Sequence, residues 1–256
     1  MARMERVTEL GFYHIINRGV EQRDIFLSLE DYDAFLDLLV EMTDRFNIIL
    51  HSFCLMTNHY HLVLQTHEKN ISEAIQFINV NYSKYFNKKY KRVGHLWQGR
   101  FKSYYLYDDL HCWSVIKYCE RNPIKANMVQ EIGDYKYQSF YQWKNKSEYF
   151  ELLNNSMIFD MTLDEYEHYI SSDIQTDILE KIYTTPKIIK IDDNIKFLYK
   201  RLETFFEDDK DINRNKNIIK AHKYGYSKTE IANFTTLAVS SIAYIVSGTI
   251  RKKNLN

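Results

Sequence analysis

The order of its secondary-structure patterns constrains the fold of this chain more than its composition does. Four short runs rich in β-branched and aromatic residues cover residues 12–18, 48–55, 60–65 and 101–106. Two longer stretches, residues 31–46 and 71–85, separate these runs and carry apolar side chains at helical spacing, such as Phe35, Leu39 and Met42. The sequence therefore predicts the order strand, helix, strand, strand, helix, strand.

This βαββαβ order is typical of an α+β fold with a ferredoxin-like antiparallel sheet. We expect the helices on one face of that sheet. A third helix, predicted over residues 108–122, follows the last strand and can pack near the sheet, with Asp108 or Asp109 as its N-cap. Pro123 disfavours helical geometry at the residue before it, so this helix is expected to end at Asn122.

Charge divides the rest of the chain. Residues 131–211 carry 18 acidic and 10 basic residues, whereas residues 212–256 carry eight basic residues and one acidic residue. Such shifts predict three parts: a first domain over residues 1–150, an acidic helical connector over 151–211 and a helix-turn-helix domain over 212–256.

The last part has the pattern of two short helices joined by a turn. Ser227 and Glu230 have capping-box spacing before an apolar run, and Gly225 ends the helix that precedes them. In a basic segment this pattern indicates a helix-turn-helix that binds DNA, with Ser240, Ser241 and Tyr244 on or near the contacting face. The alternative is a helical hairpin that serves only for packing.

Bulk composition excludes some protein classes but names no partner. The 34 basic and 34 acidic residues balance, and the hydrophobic fraction of 45% supports a buried core. Three cysteines make no disulfide framework, and we find no apolar run long enough to cross a membrane. We therefore expect a soluble, cytoplasmic protein without a membrane partner.

The sequence His59-Tyr60-His61 lies in the third predicted strand. Alternate residues of a strand share a face, so the two imidazoles project together and Tyr60 projects the other way. Two neutral imidazoles on a rigid strand form half of a divalent-metal site. The alternative is that they are ordinary core or surface histidines.

The third predicted helix supplies further candidates. Tyr118 and Asn122 are four residues apart and share a helical face, which offers a phenol and an amide oxygen. Because the chain has 21 tyrosines, position alone does not select a nucleophile. Tyr104, Tyr105 and Tyr107 compete with Tyr118, although their predicted strand setting favours core packing or base stacking.

Four motifs carry a family resemblance: YHIINRG (13–19), MTNHYH (56–61), GHLWQGRFK (94–102) and YCERNP (118–123). In order and spacing they resemble the REP-associated tyrosine transposases of the HUH single-tyrosine nuclease superfamily. The resemblance covers about residues 11–130 of the chain. It implies metal-dependent cleavage and rejoining of single-stranded DNA that carries hairpins, with a covalent 5′-phosphotyrosine intermediate.

The resemblance also implies roles for individual residues. His59 and His61 would be metal ligands, Tyr118 the nucleophile and Asn122 the third ligand. This donor set suits Mg²⁺ or Mn²⁺, and Mn²⁺ tolerates imidazole better. Thr57 replaces a proline that is common in relatives, and the residues between Tyr118 and Asn122 are less apolar than usual for the family.

Basic and aromatic residues near these motifs are candidates for DNA contacts. Arg18, Arg100 and Lys102 are expected to contact phosphates, and Trp97 is available for base stacking. Hydrophobic packing is the alternative for Trp97. The expected partner is single-stranded DNA with REP-like hairpins or inverted repeats, and a monomer is preferred although a dimer is possible.

Two other functions remain open. The chain can be a domesticated DNA-binding regulator that acts on repeated hairpins with weak or no cleavage. It can also be a metal-dependent hydrolase of small phosphoesters, which would show turnover with water and no covalent protein–DNA species. A covalent protein–DNA adduct separates the leading hypothesis from both.

Overall fold

The computed structural model describes residues 9–173, 187–191, 194–198, 202–206 and 213–247 of the chain. At its centre is a four-stranded antiparallel sheet in the order β2-β3-β1-β4. The strands are β1 (Gly11–Arg18), β2 (Ile48–Leu55), β3 (His59–Thr66) and β4 (Lys102–Leu106). This order confirms the predicted α+β fold and places β3 and β1 in the middle of the sheet.

Two helices, α1 (Leu29–Phe46) and α2 (Ile71–Lys89), cover one face of the sheet. We call it the α1/α2 face, and the buried side chains that β1 and β3 direct to it are Tyr13, Ile15, Tyr60, Leu62 and Leu64. The Asp31 carboxylate ties the two helices together. It accepts hydrogen bonds from the Ser28 backbone N–H at the start of α1 and from Tyr85, Lys89 and Tyr90 near the end of α2.

A third helix, α3 (Asp109–Glu120), covers the opposite face, so helices cover both faces of the sheet. We call this the α3 face, and β1 and β3 direct His14, Ile16, His59 and His61 to it. The physical reason is that β3 is buried on both faces, so its second face also needs cover. The Cys119 sulfur lies 3.7 Å from His14 Nε2, and the Ser52 hydroxyl of β2 donates to Glu120.

The ends of α3 follow the predicted signals with one difference. The Asp108 carboxylate accepts a hydrogen bond from the His111 backbone N–H, as an N-cap does. The helix ends at Glu120, two residues earlier than predicted, and a four-residue helix, α4 (Asn122–Lys125), follows with Pro123 in its first turn. Asn122 therefore begins a new turn instead of ending α3.

Residues after 130 complete the same core. The helices α5 (Ser139–Asn145) and α6 (Leu163–Ser171) bring Phe140, Tyr166 and Ile170 into it, all fully buried. Before α5, the Tyr137 carbonyl accepts a hydrogen bond from the Leu55 backbone N–H at the outer edge of β2. The first compact unit accordingly extends to residue 185, past the boundary predicted at residue 150.

The second compact unit covers residues 186–256. It contains an antiparallel hairpin, β5 (Lys187–Ile191) and β6 (Asn194–Leu198), where the acidic stretch was expected to be helical. The sequence KIIKI contains three β-branched isoleucines, which favour a strand. Residues 174–186 of the predicted connector lie outside the described residues.

Three helices follow the hairpin: α7 (Arg214–Tyr224), α8 (Lys228–Thr235) and α9 (Val239–Ser247). The predicted capping box is confirmed, because Ser227 and Glu230 exchange side-chain and backbone hydrogen bonds at the start of α8. The axes of α8 and α9 differ by 118°, and both helices share a small core built on Ile218, Ile231 and Ile242.

We also examined the helices for membrane-spanning length and hydropathy. Among the described residues no single helix is long and apolar enough to cross a membrane. The bent pair α8 and α9 passes that test of length and composition only when its two helices are taken together.

Candidate functional site

Two imidazoles of β3 form the floor of the candidate site. The ring centroids of His59 and His61 are 5.0 Å apart, and both side chains lie on the α3 face. Burial lowers the pKa of His59 to about 4, with a further contribution from the nearby Arg18 charge, and it lowers the pKa of His61 well below its usual range. Both rings are therefore neutral at pH 7 and present nitrogen lone pairs, as metal ligation requires.

Asn58 fixes which nitrogen of His59 carries the proton. The Asn58 amide N–H donates to the Gln22 carbonyl, so its Oδ1 faces His59 Nδ1 at 2.6 Å. Because an amide oxygen only accepts, Nδ1 of the neutral ring donates and Nε2 keeps its lone pair. Metal-binding histidines commonly have such a partner on the second ring nitrogen.

A further histidine from β1 stands behind His61. His14 Nε2 lies 3.0 Å from His61 Nδ1, and both residues are buried. With Cys119 they form a group whose possible ligand atoms all lie within 4.8 Å of one another. This buried group is compatible with a metal ion, and it fits equally a hydrogen-bonded pair that holds His61 in place.

Tyr118 of α3 lies over the same histidines. Its ring centroid is 5.8 Å from that of His61 and 6.4 Å from that of His14, both edge-on. The ring is half-buried, and the Lys125 ammonium lies 4.5 Å from its centroid. A phenol and two neutral imidazoles are thus brought together from α3 and β3, with a cation beside the phenol.

Asn122 is placed one turn after Tyr118 but is folded back on α3. Its amide nitrogen donates to the carbonyl oxygens of Tyr118 and Cys119, at 3.0 and 3.4 Å. That orientation leaves Oδ1 as the atom available to a cation. Asn122 is not among the residues that line the cleft described next.

A cleft of about 650 Å³ opens over the histidines and Tyr118. Three of the four residues expected to contact DNA in this unit line it: Arg18, Arg100 and Lys102, all exposed. Amide side chains of Asn58 and Gln98 also line the cleft. Cationic and amide groups around a phenol provide donors for the oxygens of a phosphodiester.

Trp97 does not line this cleft. Its indole N–H donates to the Asn79 carbonyl of α2, and its ring packs on Tyr60 and Tyr82 on the α1/α2 face. This position favours the packing alternative over base stacking. Ser240, Ser241 and Tyr244 lie exposed on α9 in the second compact unit.

The competing tyrosines occupy other positions. Tyr105 donates to the Leu10 carbonyl, and the Tyr107 ring packs on His111. Tyr104 lines the cleft and lies 5.9 Å from His14 between ring centroids. Tyr118 and Tyr104 are therefore the two phenols of the cleft.

Comparison with known families finds a match in the first part of the chain. Residues 8–122 match the model of a family described as "Transposase IS200 like". The match covers 115 of the 256 residues, a little under half of the chain. The match begins before β1 and ends at Asn122, so it contains the whole sheet, both histidines of β3 and Tyr118.

Several transposases resemble this chain. A Haemophilus influenzae protein described as a REP-associated tyrosine transposase is 28% identical over 103 residues, which cover 36% of this chain and 58% of the relative. The chain thus matches little more than half of that relative's length. Among solved structures, a REP-associated tyrosine transposase bound to a REP hairpin aligns with 57% of this chain and 87% of its own, at 16% identity and a TM-score of 0.49. A transposase from Deinococcus radiodurans aligns with 51% of this chain and 94% of its own, at 16% identity and a TM-score of 0.34.

Sequence reasoning missed four residues of this site. The sequence alone assigns no individual role to His14, Asn58, Cys119 and Lys125. The strand register contains the signal for His14, because a β1 strand antiparallel to β3 places it diagonally opposite His61 on one face. The packing of α3 on that face, which brings in Cys119 and Lys125, has no equivalent signal in the sequence.

Proposed function

We propose that the chain is a metal-dependent single-stranded DNA endonuclease and strand transferase that cleaves hairpin-bearing DNA through a 5′-phosphotyrosine. The observation that most directly supports this proposal is the position of Tyr118. Its ring centroid lies 5.8 Å from that of His61, in a cleft lined by three cationic side chains. The match of residues 8–122 to a transposase family supports DNA as the substrate.

The proposed step exchanges one phosphodiester for another. The Tyr118 oxygen attacks the scissile phosphorus, the bond from phosphorus to the 3′ oxygen breaks, and the phenolic proton leaves to solvent while the 3′ oxygen gains one. The 5′ end of the DNA is then esterified to Tyr118. Because the phosphoester bond is conserved, a free 3′-OH can reverse the step, which suits strand transfer better than hydrolysis.

His59 and His61 would hold the cation, with Asn122 as the proposed third ligand. The donor set fits this role because burial keeps both imidazoles neutral and Asn58 leaves His59 Nε2 unprotonated. A bound Mg²⁺ or Mn²⁺ supplies charge that stabilises the reacting phosphate. Arg18, Arg100 and Lys102 orient the DNA backbone by contacts to neighbouring phosphates.

The domain roles are part of the proposal. Residues 1–150 would carry the chemistry, residues 151–211 would link the two parts and residues 212–256 would bind DNA as a helix-turn-helix. The exposed Ser240, Ser241 and Tyr244 on α9 support a contact surface there. The 118° angle between α8 and α9 lies within the range of about 90–120° for helices in this motif.

The test is covalent capture of labelled single-stranded DNA carrying an inverted-repeat hairpin, with Mn²⁺ or Mg²⁺ and with EDTA. We expect a protein–DNA adduct that resists denaturation with either cation and none with EDTA. Tyr118→Phe should bind the DNA but form no adduct, whereas Tyr104→Phe, which changes the other phenol of the cleft, should still form it.

The alternative is a DNA-binding regulator without cleavage, favoured only by the exposed face of α9. Hairpin binding without any adduct from the unmodified chain would support that alternative. Release of product by water with no covalent species would instead indicate a phosphoester hydrolase.

A further inference from the structure

The helix that carries Tyr118 is fastened to residues outside the family match. We call residues 139–173 the brace. Three side chains that flank Tyr118 and Cys119 in the sequence contact the brace, and they are Lys117, Glu120 and Arg121. The match to the transposase family ends at residue 122, so the brace is not part of the matched region.

Arg121 makes the densest of these contacts. One guanidinium nitrogen donates to the carbonyl oxygens of Ile170, Ser171 and Ser172, at 3.1, 2.7 and 3.1 Å. These carbonyls end α6 and have no partners inside that helix. A cation there also opposes the negative end of the helix dipole, so Arg121 caps α6 from the end of α3.

Lys117 and Glu120 connect the last turn of α3 to the brace. The Lys117 ammonium donates to the Ser172 hydroxyl and, at 3.0 Å, to the Asp173 carbonyl. The buried Glu120 carboxylate accepts from Tyr166 of α6 at 3.1 Å and from the Phe140 backbone N–H of α5 at 3.3 Å. The same carboxylate accepts from Ser52 of β2, so one group joins α3, the brace and the sheet.

These contacts surround the nucleophile on its own helix without touching the cleft. The cleft-lining residues include Tyr118 but none of Lys117, Glu120 and Arg121. In-line attack on phosphorus requires close alignment of the reacting atoms, and a displacement of about 1 Å can cost about 100-fold in rate. A helix carrying the attacking group therefore needs support on the side away from the reaction.

We propose that the brace, residues 139–173, holds α3 in register with β3, and that Arg121 is the positioning residue that fixes Tyr118 over His59 and His61. This inference rests on the proposed function, because it assigns the brace a role in the attack by Tyr118. It gives residues 151–173, the first part of the proposed connector, a role in the reaction in addition to linking the two parts.

The test compares Arg121→Ala with Lys144→Ala in the full chain. Lys144 forms an exposed ion pair with Glu167 at 2.8 Å, and both residues of this pair belong to the brace, so Lys144 is the matched control. We expect Arg121→Ala to slow adduct formation at saturating DNA and Mn²⁺ by about 10- to 100-fold, with half-saturating concentrations of both unchanged. Lys144→Ala should stay within about twofold of the unmodified chain.

A second readout follows α3 directly by amide hydrogen exchange. Arg121→Ala should speed exchange in the peptide that contains Tyr118, and Arg121→Lys should partly restore both slow exchange and rate. If Arg121→Ala does not fold, Tyr166→Phe removes one hydroxyl from Glu120 and should slow the saturated rate by a smaller factor, again without changing DNA affinity.

The outcomes separate the two proposals. No adduct from the unmodified chain would refute the proposed function. An adduct formed at the same saturated rate by Arg121→Ala and Lys144→Ala would overturn the brace while leaving the nuclease assignment intact. A loss of DNA or Mn²⁺ affinity that accounts for the whole rate change would also overturn it.

Discussion

The two faces of the central sheet differ in what they bury. The α1/α2 face buries phenols and aliphatic chains in close aromatic contact, such as Tyr60 against Phe35 at 5.0 Å between ring centroids. The α3 face buries imidazoles, a thiol and a carboxylate, with His14, His61, Cys119 and Glu120 all nearly inaccessible to water. Packing on the α1/α2 face stabilises the fold. The α3 face buries polar groups, and their burial costs free energy of folding.

This difference separates the structural tyrosines from the proposed nucleophile. On the α1/α2 face, burial raises the pKa values of Tyr13 and Tyr82 well above their usual range, and both hydroxyls bond to backbone carbonyls. Tyr118 on the other face is half-buried and opens to the cleft. Exposure to the cleft, more than residue type, distinguishes the proposed nucleophile from most of the 21 tyrosines.

The sharpest test of the comparison uses two adjacent residues that point to opposite faces. His59→Ala should abolish Mn²⁺ binding and the DNA adduct while changing the free energy of unfolding by less than about 1 kcal/mol. Tyr60→Phe removes a hydroxyl that donates to Asn79 at 2.9 Å. It should cost about 1–2 kcal/mol in urea unfolding and retain adduct formation. The reverse pattern would refute the division of roles between the faces.

Acid should weaken the protein through its buried imidazoles. Burial lowers the pKa of His51 from 6.5 to about 4, and its Nδ1 accepts from the Met157 backbone N–H at 3.0 Å. Between those pH values the unfolded chain binds a proton that the folded chain excludes. The free energy of unfolding should therefore fall as pH drops from 6.5 to 4, with His51 contributing up to about 3 kcal/mol.

His51→Gln provides the matched comparison, since glutamine does not titrate. Urea unfolding at several pH values should show a shallower loss of stability for this variant below pH 6.5 and no difference in slope above it. Equal slopes for both proteins across that range would contradict a neutral, buried His51.

Metal affinity should depend on the residue that orients His59. Asn58→Ala removes the acceptor for Nδ1 and should weaken Mn²⁺ binding by about 10- to 100-fold in calorimetry. Gln22→Ala is the control, because Asn58 contacts the backbone carbonyl of Gln22 and not its side chain. ¹⁵N chemical shifts should place the proton of His59 on Nδ1 in the parent, and an Nε2 proton there would contradict the proposed geometry.

The smallest expected effect concerns the cation beside Tyr118. Lys125→Met removes an ammonium 4.5 Å from that ring and should slow adduct formation by about two- to fivefold. Lys136→Met removes a comparable cation 5.3 Å from the Tyr137 ring and should leave the rate unchanged. Equal rates of adduct formation for the two variants would show that Lys125 does not contribute to the reaction.

The sheet was predictable because local patterns determine it. The runs of β-branched and aromatic residues and the helical spacing of Phe35, Leu39 and Met42 gave the element order and the boundaries to within a few residues. The facing of His59 and His61 followed from strand geometry alone. The position of Tyr118 close to these two histidines was expected from the family resemblance and not from periodicity.

What the sequence did not reveal depends on contacts between distant segments. Nothing local predicts that α3 covers the second face, or that Arg121 caps α6 fifty residues later. The acidic charge of residues 131–211 suggested a connector, yet Tyr166 and Ile170 are fully buried there. Charge along the chain reports composition, whereas burial depends on which few apolar side chains point inward.

The shared core also limits how this unit can be transplanted. A shortened version that stops at residue 122 would strip Phe140, Tyr166 and Ile170 from the interior and leave the Glu120 carboxylate without two of its donors. Any fusion of this unit to another domain should therefore place the junction after residue 185, because an earlier cut would expose apolar surface and yield a partly collapsed fragment.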